Sequence, residues 1–263
     1  MSRKVVVLVA AHKAYRMPGD AMYLPIQVGA AGKESIGFQR DDEGENISSL
    51  NPFFCELTGM YWAWKHLDAA YVGLVHYRRL FAGKGKGDPW QRALTYPEIE
   101  PDLEKIRVFV PGKRYYLIET LYSHYAHTHH AEHLDAARKI LEEQYPEMLP
   151  ACDAVYRQRW GYMFNMMIME KGLFHAYCEW LFGVLFELRK RVNEENLSSF
   201  QRRYCGRVSE ILFNVWLRWQ LEQGEIGRNQ IRELPVICTE RTNWLKKGGE
   251  FLKARLFGTK YEH

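Results

Sequence analysis

The chain has no Cys-x-x-Cys pair. Its five cysteines (Cys55, Cys152, Cys178, Cys205, Cys238) are odd in number and far apart. A zinc site built on thiolates is thereby set aside, and free thiols in a reducing compartment are the simplest account. No run of about 18 uncharged apolar residues occurs, so no membrane-spanning helix is expected. The first apolar stretch, Val5 to Ala11, is short and lacks a small-residue cleavage site, so it does not read as a signal peptide. Charge of one sign is also scarce. The 36 basic and 32 acidic residues leave +4, too mild for a dedicated nucleic-acid binder. The glycine-lysine loop at 83–87 lacks the Walker A pattern and its Ser/Thr; it reads as a flexible basic loop, a candidate mobile flap over a bound anion. There is no repeat, low-complexity tract or clear linker.

What the chain does have is apolar content enough for a sizeable core, and many aromatics. Val5–Ala10 is a β-branched run that predicts a first, central strand. Residues 71–81, Tyr-Val-Gly-Leu-Val-His-Tyr-Arg-Arg-Leu-Phe, predict a second strand whose apolar half gives way to polar residues. Residues 16–51 look irregular. Asn51-Pro52 starts a helix, with Asn as cap and Pro at the first helical position. Glu56 near that start is explained by the helix dipole alone. Further elements are a short strand at 108–110, helical sequence over 119–145, a buried strand over Gly161–Met169, helices at 171–190 and 206–222, and a terminal strand Leu234–Ile237. Strands alternating with helices predict a single α/β domain over 1–242 with a helical C-terminal half. Residues 243–263 form a basic amphipathic tail suited to a membrane surface or to packing on the domain.

Ligands of open α/β sheets bind at the carboxyl ends of strands. His12 and Lys13 follow the first strand; His76, Tyr77, Arg78 and Arg79 follow the second. Adjacent arginines suit an anion, because guanidinium grips phosphate or carboxylate oxygens in pairs. Asp41 and Asp42 sit in an acid-rich loop, either solvated or facing a metal–diphosphate or sugar hydroxyls. Five histidines fall between His124 and His133, and His129/His133 have i, i+4 spacing. The glutamate expected beside such a ligand pair is absent, so the metal reading is weak and no metal site is assigned. Asn165 interrupts an apolar run, either satisfying backbone groups or facing the cleft.

Several motifs together resemble a known family. They are Val-Ala-Ala-His12-Lys13, Tyr23-Leu-Pro-Ile-Gln, Arg40-Asp-Asp-Glu-Gly-Glu-Asn46, Asn51-Pro-Phe-Phe-Cys-Glu56, Gly73-Leu-Val-His-Tyr-Arg-Arg79, Tyr162-Met-Phe-Asn165 and Ser209-Glu210-Ile-Leu-Phe-Asn-Val-Trp216. The resemblance spans nearly the whole chain. It is to the bacterial capsular, exopolysaccharide and O-antigen glycosyltransferases long catalogued as a domain of unknown function, which include galactofuranosyltransferases. It implies a GT-A-like domain with a central, mostly parallel sheet, and transfer of a sugar, in some members galactofuranose, from a UDP-sugar to a growing lipid-linked glycan. It also implies a cytoplasmic enzyme, peripheral on the inner membrane. The Asp-X-Asp metal motif of many GT-A enzymes is not evident, so Arg78 and Arg79 stand as alternatives to Mn²⁺ or Mg²⁺. On this reading His12, Lys13, His76, Tyr77, Arg78 and Arg79 bind the donor. Asp41 or Asp42 contacts donor hydroxyls or acts as base, with Glu210 the second candidate base. His129, His130 and Asn165 belong to the acceptor side. A glycan-binding module without turnover is the alternative.

Overall fold

The structure, a computed structural model, describes residues 4–195 and 197–240. Strand β1 (Val5–Ala11) is buried at every position, as a strand covered on both faces must be. It lies between β2 (Tyr23–Gln27) and β4 (Tyr71–His76), parallel to both, and β3 (Gln39–Arg40) extends the sheet beyond β2. The hairpin strand β5 (Arg79–Phe81) turns back on β4 through Tyr77-Arg78. Later come β6 (Val108–Pro111), the small pair β7 (Arg114–Tyr115) and β8 (Trp160–Gly161), β9 (Met167–Glu170), β10 (Ile231–Leu234) and β11 (Val236–Cys238). The main order is β10-β6-β9-β4-β1-β2-β3, in which only β9 runs against the rest; β11 joins at β5.

Helices α1 (Asn51–Phe54), α2 (Leu57–His66), α4 (Leu121–Thr128), α5 (Glu132–Gln144), α6 (Leu149–Arg157), α7 (Lys171–Arg191) and α8 (Tyr204–Gln223) cover one face, while the short α3 (Tyr96–Ile99) belongs to the other. The period of two along β1 sorts its side chains between them. Val6, Leu8 and Ala10 pack with the helices; Val5, Val7, Val9 and Ala11 pack with Leu80, Phe81, Leu94 and Ile99. No helix of the described residues is long and apolar enough to cross a membrane. The expected tail, 243–263, lies outside the described residues.

Four elements differ from expectation. The 16–51 region contains β2, which Pro25 hides; proline is tolerated there because β3 pairs only with Ile26 and Gln27, leaving the Pro25 position on an open edge. The helix expected from Asn51 is broken at Cys55, whose φ of 53° and ψ of −129° end α1. Asn51 is not the cap: its side-chain amide donates to the Cys55 carbonyl (2.7 Å) and holds the break. The expected strand 161–169 is interrupted by a left-handed turn at Phe164-Asn165. The helical stretch 119–145 turns at His129–Ala131, so the five histidines do not share one helix.

Candidate active site

A cavity of about 640 Å³ opens at the carboxyl ends of β1 and β4. His12 enters from β1, and His76, Tyr77, Arg78 and Arg79 from the β4–β5 turn. Asn51, Cys55 and Glu56 form the wall at the α1–α2 break; Phe164 forms another; Phe200, Arg202, Arg203, Arg207 and Glu210 come from the start of α8 and the segment before it. Five arginines thus face two glutamates in one cavity. Arg78 reaches Glu240 at 3.6 Å, both side chains being largely solvated. Among the described residues Arg79, Arg202, Arg203 and Arg207 make no ion pair with a carboxylate. The Arg79 guanidinium lies 4.4 Å from the centre of the Phe164 ring, and that of Arg207 3.8 Å from the Phe200 ring. Aromatic faces hold the cations while leaving their N–H forks available.

The local electrostatics follow from this crowding. The His12 pKa is lowered by burial and by Arg78, Lys13 and Arg203, which keeps the imidazole neutral at pH 7. Burial pushes the Cys55 thiol up to about 11, so it is not a thiolate although Arg203 Nε lies 3.2 Å from its sulfur. His129 sits behind Arg207, whose Nη1 is 3.1 Å from its Nδ1; burial and that cation drive its pKa down to about 2. A neutral His129 is therefore an acceptor that orients Arg207. Burial also lowers Arg207, to about 10. The Glu210 carboxyl is pushed up to about 7, by burial first and by Glu56 in addition, against the hydrogen bond from the Phe164 N–H and the charges of Arg114 and Arg79.

The described residues other than glycine with positive φ are Cys55, Phe164 and Asn165, and all three meet here. Such conformations cost on the order of 1–3 kcal/mol each and persist only where their surroundings enforce them. Glu210 Oε2 accepts from the Phe164 N–H at 2.8 Å, while His76 Nε2 stands 2.5 Å from the Phe164 carbonyl oxygen. Asn165 is buried, donates to Glu56 Oε1 (2.7 Å) and the Gly206 carbonyl (2.9 Å), and accepts from Ser209. The strained turn is pinned by β4, α8 and the α1–α2 break together.

The structure therefore brings His12, His76, Tyr77, Arg78, Arg79 and Glu210 into one wall. Lys13 stands beside it, its Nζ 5.6 Å from the ring centres of Tyr15 and Tyr77. Asn165 and His129 lie one layer behind, holding Glu56 and Arg207. His130 is not a wall residue; its ring is 5.5 Å from that of His133. The glycine-lysine loop at 83–87 is also outside the wall, with the Lys84 N–H donating to Glu98.

Asp41 and Asp42, expected at the reacting centre, stand outside the cavity wall. Asp41 is fully buried and accepts from the Gly29 N–H (2.7 Å), the Ala30 N–H (2.9 Å) and the Ser48 hydroxyl. Asp42 pairs with Arg40 at 2.7 Å. Neither lines the cavity, because the turn after β2 consumes the acceptors of one and Arg40 those of the other. Asp41→Asn should cost roughly 2 kcal/mol or more, since an amide places a donor where N–H groups need an acceptor. Turnover per folded molecule should change less than about tenfold, against the 10²–10⁴-fold of a lost acid or base; urea denaturation with specific activity checks both.

Sequence reasoning missed Glu56, Cys55, Arg202, Arg203 and Arg207. A signal was present for the arginines: cations at the start of a helix oppose its dipole, so three of them before and within the first turn of α8 point to an anion. Among the described residues no group of three His, Cys, Asp or Glu is placed to hold a metal ion.

Comparison with known proteins adds two findings. A family model described as Domain of unknown function (DUF4422) matches residues 6–221. The apo structure of WbbM, a bifunctional glycosyltransferase, superposes with a TM-score of 0.83 at 30% identity, covering 90% of this chain. The chain spans about half (46%) of the length of that structure. The fold is GT-A-like, with a central, mostly parallel sheet. No curated protein matches.

Proposed function

The chain belongs to the family described as Domain of unknown function (DUF4422), and from its cavity we propose that it is a glycosyltransferase acting on a nucleotide-sugar, with a UDP-sugar as the donor. The observation that carries the reading is the convergence of five arginines, four of them without an ion pair to a described carboxylate, beside the buried Glu210 carboxyl, which burial pushes up to about 7. Sugar transfer has to stabilise a departing nucleoside diphosphate, and Arg78 and Arg79 would do so with Arg203 and Arg207 opposite. The N-terminal turn of α8 lines that side through Gly206 and Arg207, and its dipole favours an anion there. Glu210 is the candidate base for the acceptor hydroxyl, in place of Asp41 or Asp42. A base with pKa near the working pH is half in the reactive form and still strong enough to take a proton.

His12, neutral and next to Arg78, would accept or donate a hydrogen bond at the nucleotide; His76 and Asn165 would act by fixing Phe164 and Glu56. Divalent metal fits this donor set poorly: five arginines repel a cation, and Glu56 and Glu210 are the only carboxylates among the wall residues. The acceptor in this proposal is a lipid-linked capsular, exopolysaccharide or O-antigen glycan at the cytoplasmic face of the membrane, and galactofuranose is the first sugar to test. A glycan-binding module without turnover has no use for a carboxyl held near neutrality or for the arginine cluster.

The test is release of nucleoside diphosphate from a panel of UDP-, GDP-, CDP- and dTDP-sugars. Release of UDP from at least one UDP-sugar, above the rate without protein, is expected. No release from any donor, with oligosaccharide binding intact, would move the chain to the glycan-binding class.

A further inference from the structure

The bulky apolar side chains most exposed among the described residues all fall on one four-residue turn: Tyr115 is 66%, Leu117 86% and Ile118 58% accessible. Scattered exposed apolar residues need no explanation, but three on one tip form a patch. The tip is not a frayed loop. Tyr115 pairs with Trp160 in the β7–β8 ribbon, the buried Tyr116 donates its N–H to the Arg159 carbonyl at 2.8 Å, and the next turn is anchored by the buried Glu119. Glu119 accepts from His124 (2.7 Å) in the middle of α4 and from His127 (2.5 Å) in its last turn. Both sides of the tip are thus tied to the core while Leu117 and Ile118 point away from it.

Exposed basic side chains gather around the tip. Arg114, Arg157 and Arg159 are exposed and make no ion pair with a described carboxylate. The acids closest in the chain and ribbon are already engaged: Glu119 by its histidines, Glu233 by Lys113 at 2.9 Å, and Asp153, one helical turn before Arg157, chiefly by Arg138 at 2.7 Å. A second copy of the chain docking tip to tip would bring these arginines together. Anionic headgroups would instead neutralise them while Leu117, Ile118 and the ring of Tyr115 enter the acyl boundary, with Trp160 suited to the interface. The tip also reports on the cavity: the Arg114 guanidinium is 5.0 Å from the Tyr116 ring and 5.9 Å from that of Phe164, a cavity wall.

We propose that the Tyr115–Ile118 turn is a docking element that inserts shallowly into an anionic lipid surface and sets the cavity mouth against it. The inference deepens the proposed function by naming what would present the enzyme to a lipid-borne acceptor, yet its test needs no turnover.

The experiment is sedimentation of the full chain with vesicles of phosphatidylcholine alone or mixed with phosphatidylglycerol. The wild type should partition onto the mixed vesicles and much less onto phosphatidylcholine, with binding weakened by salt. The double variant Leu117→Ser/Ile118→Ser should partition on the order of tenfold less or weaker still, because the apolar contact is what it removes. Its melting temperature and its affinity for UDP should match the wild type. Equal partitioning of variant and wild type overturns the proposal, as does an absence of vesicle binding by the wild type. Dimerisation in solution that the double variant abolishes, without vesicle binding, would hand the turn to a second copy and likewise overturn it. Loss of UDP binding by both proteins with the vesicle result intact would strike the donor reading and leave the docking element standing.

Discussion

Glu210→Gln is expected to lower turnover by roughly 10²–10⁴-fold while leaving donor affinity within a few-fold, the loss typical of a general base. Glutamine keeps the carbonyl that the Phe164 N–H uses, so the strained turn survives and the loss reports on proton transfer. In the wild type, turnover should rise with pH through about 7 as the carboxyl ionises. The residual turnover of the variant should lack that step. Stability supplies a second, independent readout. The pKa is raised from 4.5 to about 7, so the fold favours the protonated carboxyl. That preference is fully present below pH 4.5 and is lost as pH rises through about 7. The variant, which never ionises, should therefore melt like the wild type in acid and higher than it above pH 7. A thermal scan at pH 5 and pH 8 on both proteins reads this directly. Parallel curves at both pH values would remove Glu210 from the buried, shifted state on which its role depends.

Arg79→Ala is the second large effect. This guanidinium starts β5, rests on Phe164 and makes no ion pair with a described carboxylate, so its N–H fork is available to an anion. A charge-assisted grip on a departing diphosphate is worth several kcal/mol in a water-poor site, so kcat/KM should fall by roughly 10²–10³-fold. Arg79→Lys should recover little of it, because an ammonium keeps the charge but not the bidentate fork. The alanine variant should unfold in urea near the wild-type midpoint, since removing one of several like charges relieves repulsion as it removes packing. Near-normal kcat/KM for Arg79→Ala would contradict the diphosphate role outright.

Much of this site was legible in the sequence, because strand ends are written in its apolar runs. Val5–Ala11 and Tyr71–His76 break from apolar to polar at the positions where the cavity opens, so His12 and His76 through Arg79 could be placed together without coordinates. Residues contributed by tertiary turns were not legible in the same way. Cys55 and Phe164-Asn165 have no glycine to announce a positive φ, and the strain is imposed by contacts across the fold that no local pattern encodes. Glu56 looked like an ordinary acid near a helix start; its carboxylate faces the cavity only because Asn165, distant in sequence, holds it. Asp41 misled for the opposite reason. A charged residue in an acid-rich loop reads as solvated or functional, whereas three hydrogen bonds bury it under the turn after β2. The fold class was legible for the usual reason that alternating strands and helices admit few architectures. The break at Cys55 and the turn between α4 and α5 were not, since both depend on what the chain meets in three dimensions.

The central claim is that the cavity is an arginine-built site for a nucleoside diphosphate. Its most direct test is calorimetric titration of UDP into the wild type and into Arg79→Ala, in buffer containing EDTA. Saturable UDP binding by the wild type that survives EDTA, weakened at least about tenfold in the variant, is the predicted result. UDP binding that appears only with Mn²⁺ or Mg²⁺ and is indifferent to Arg79 would contradict the account.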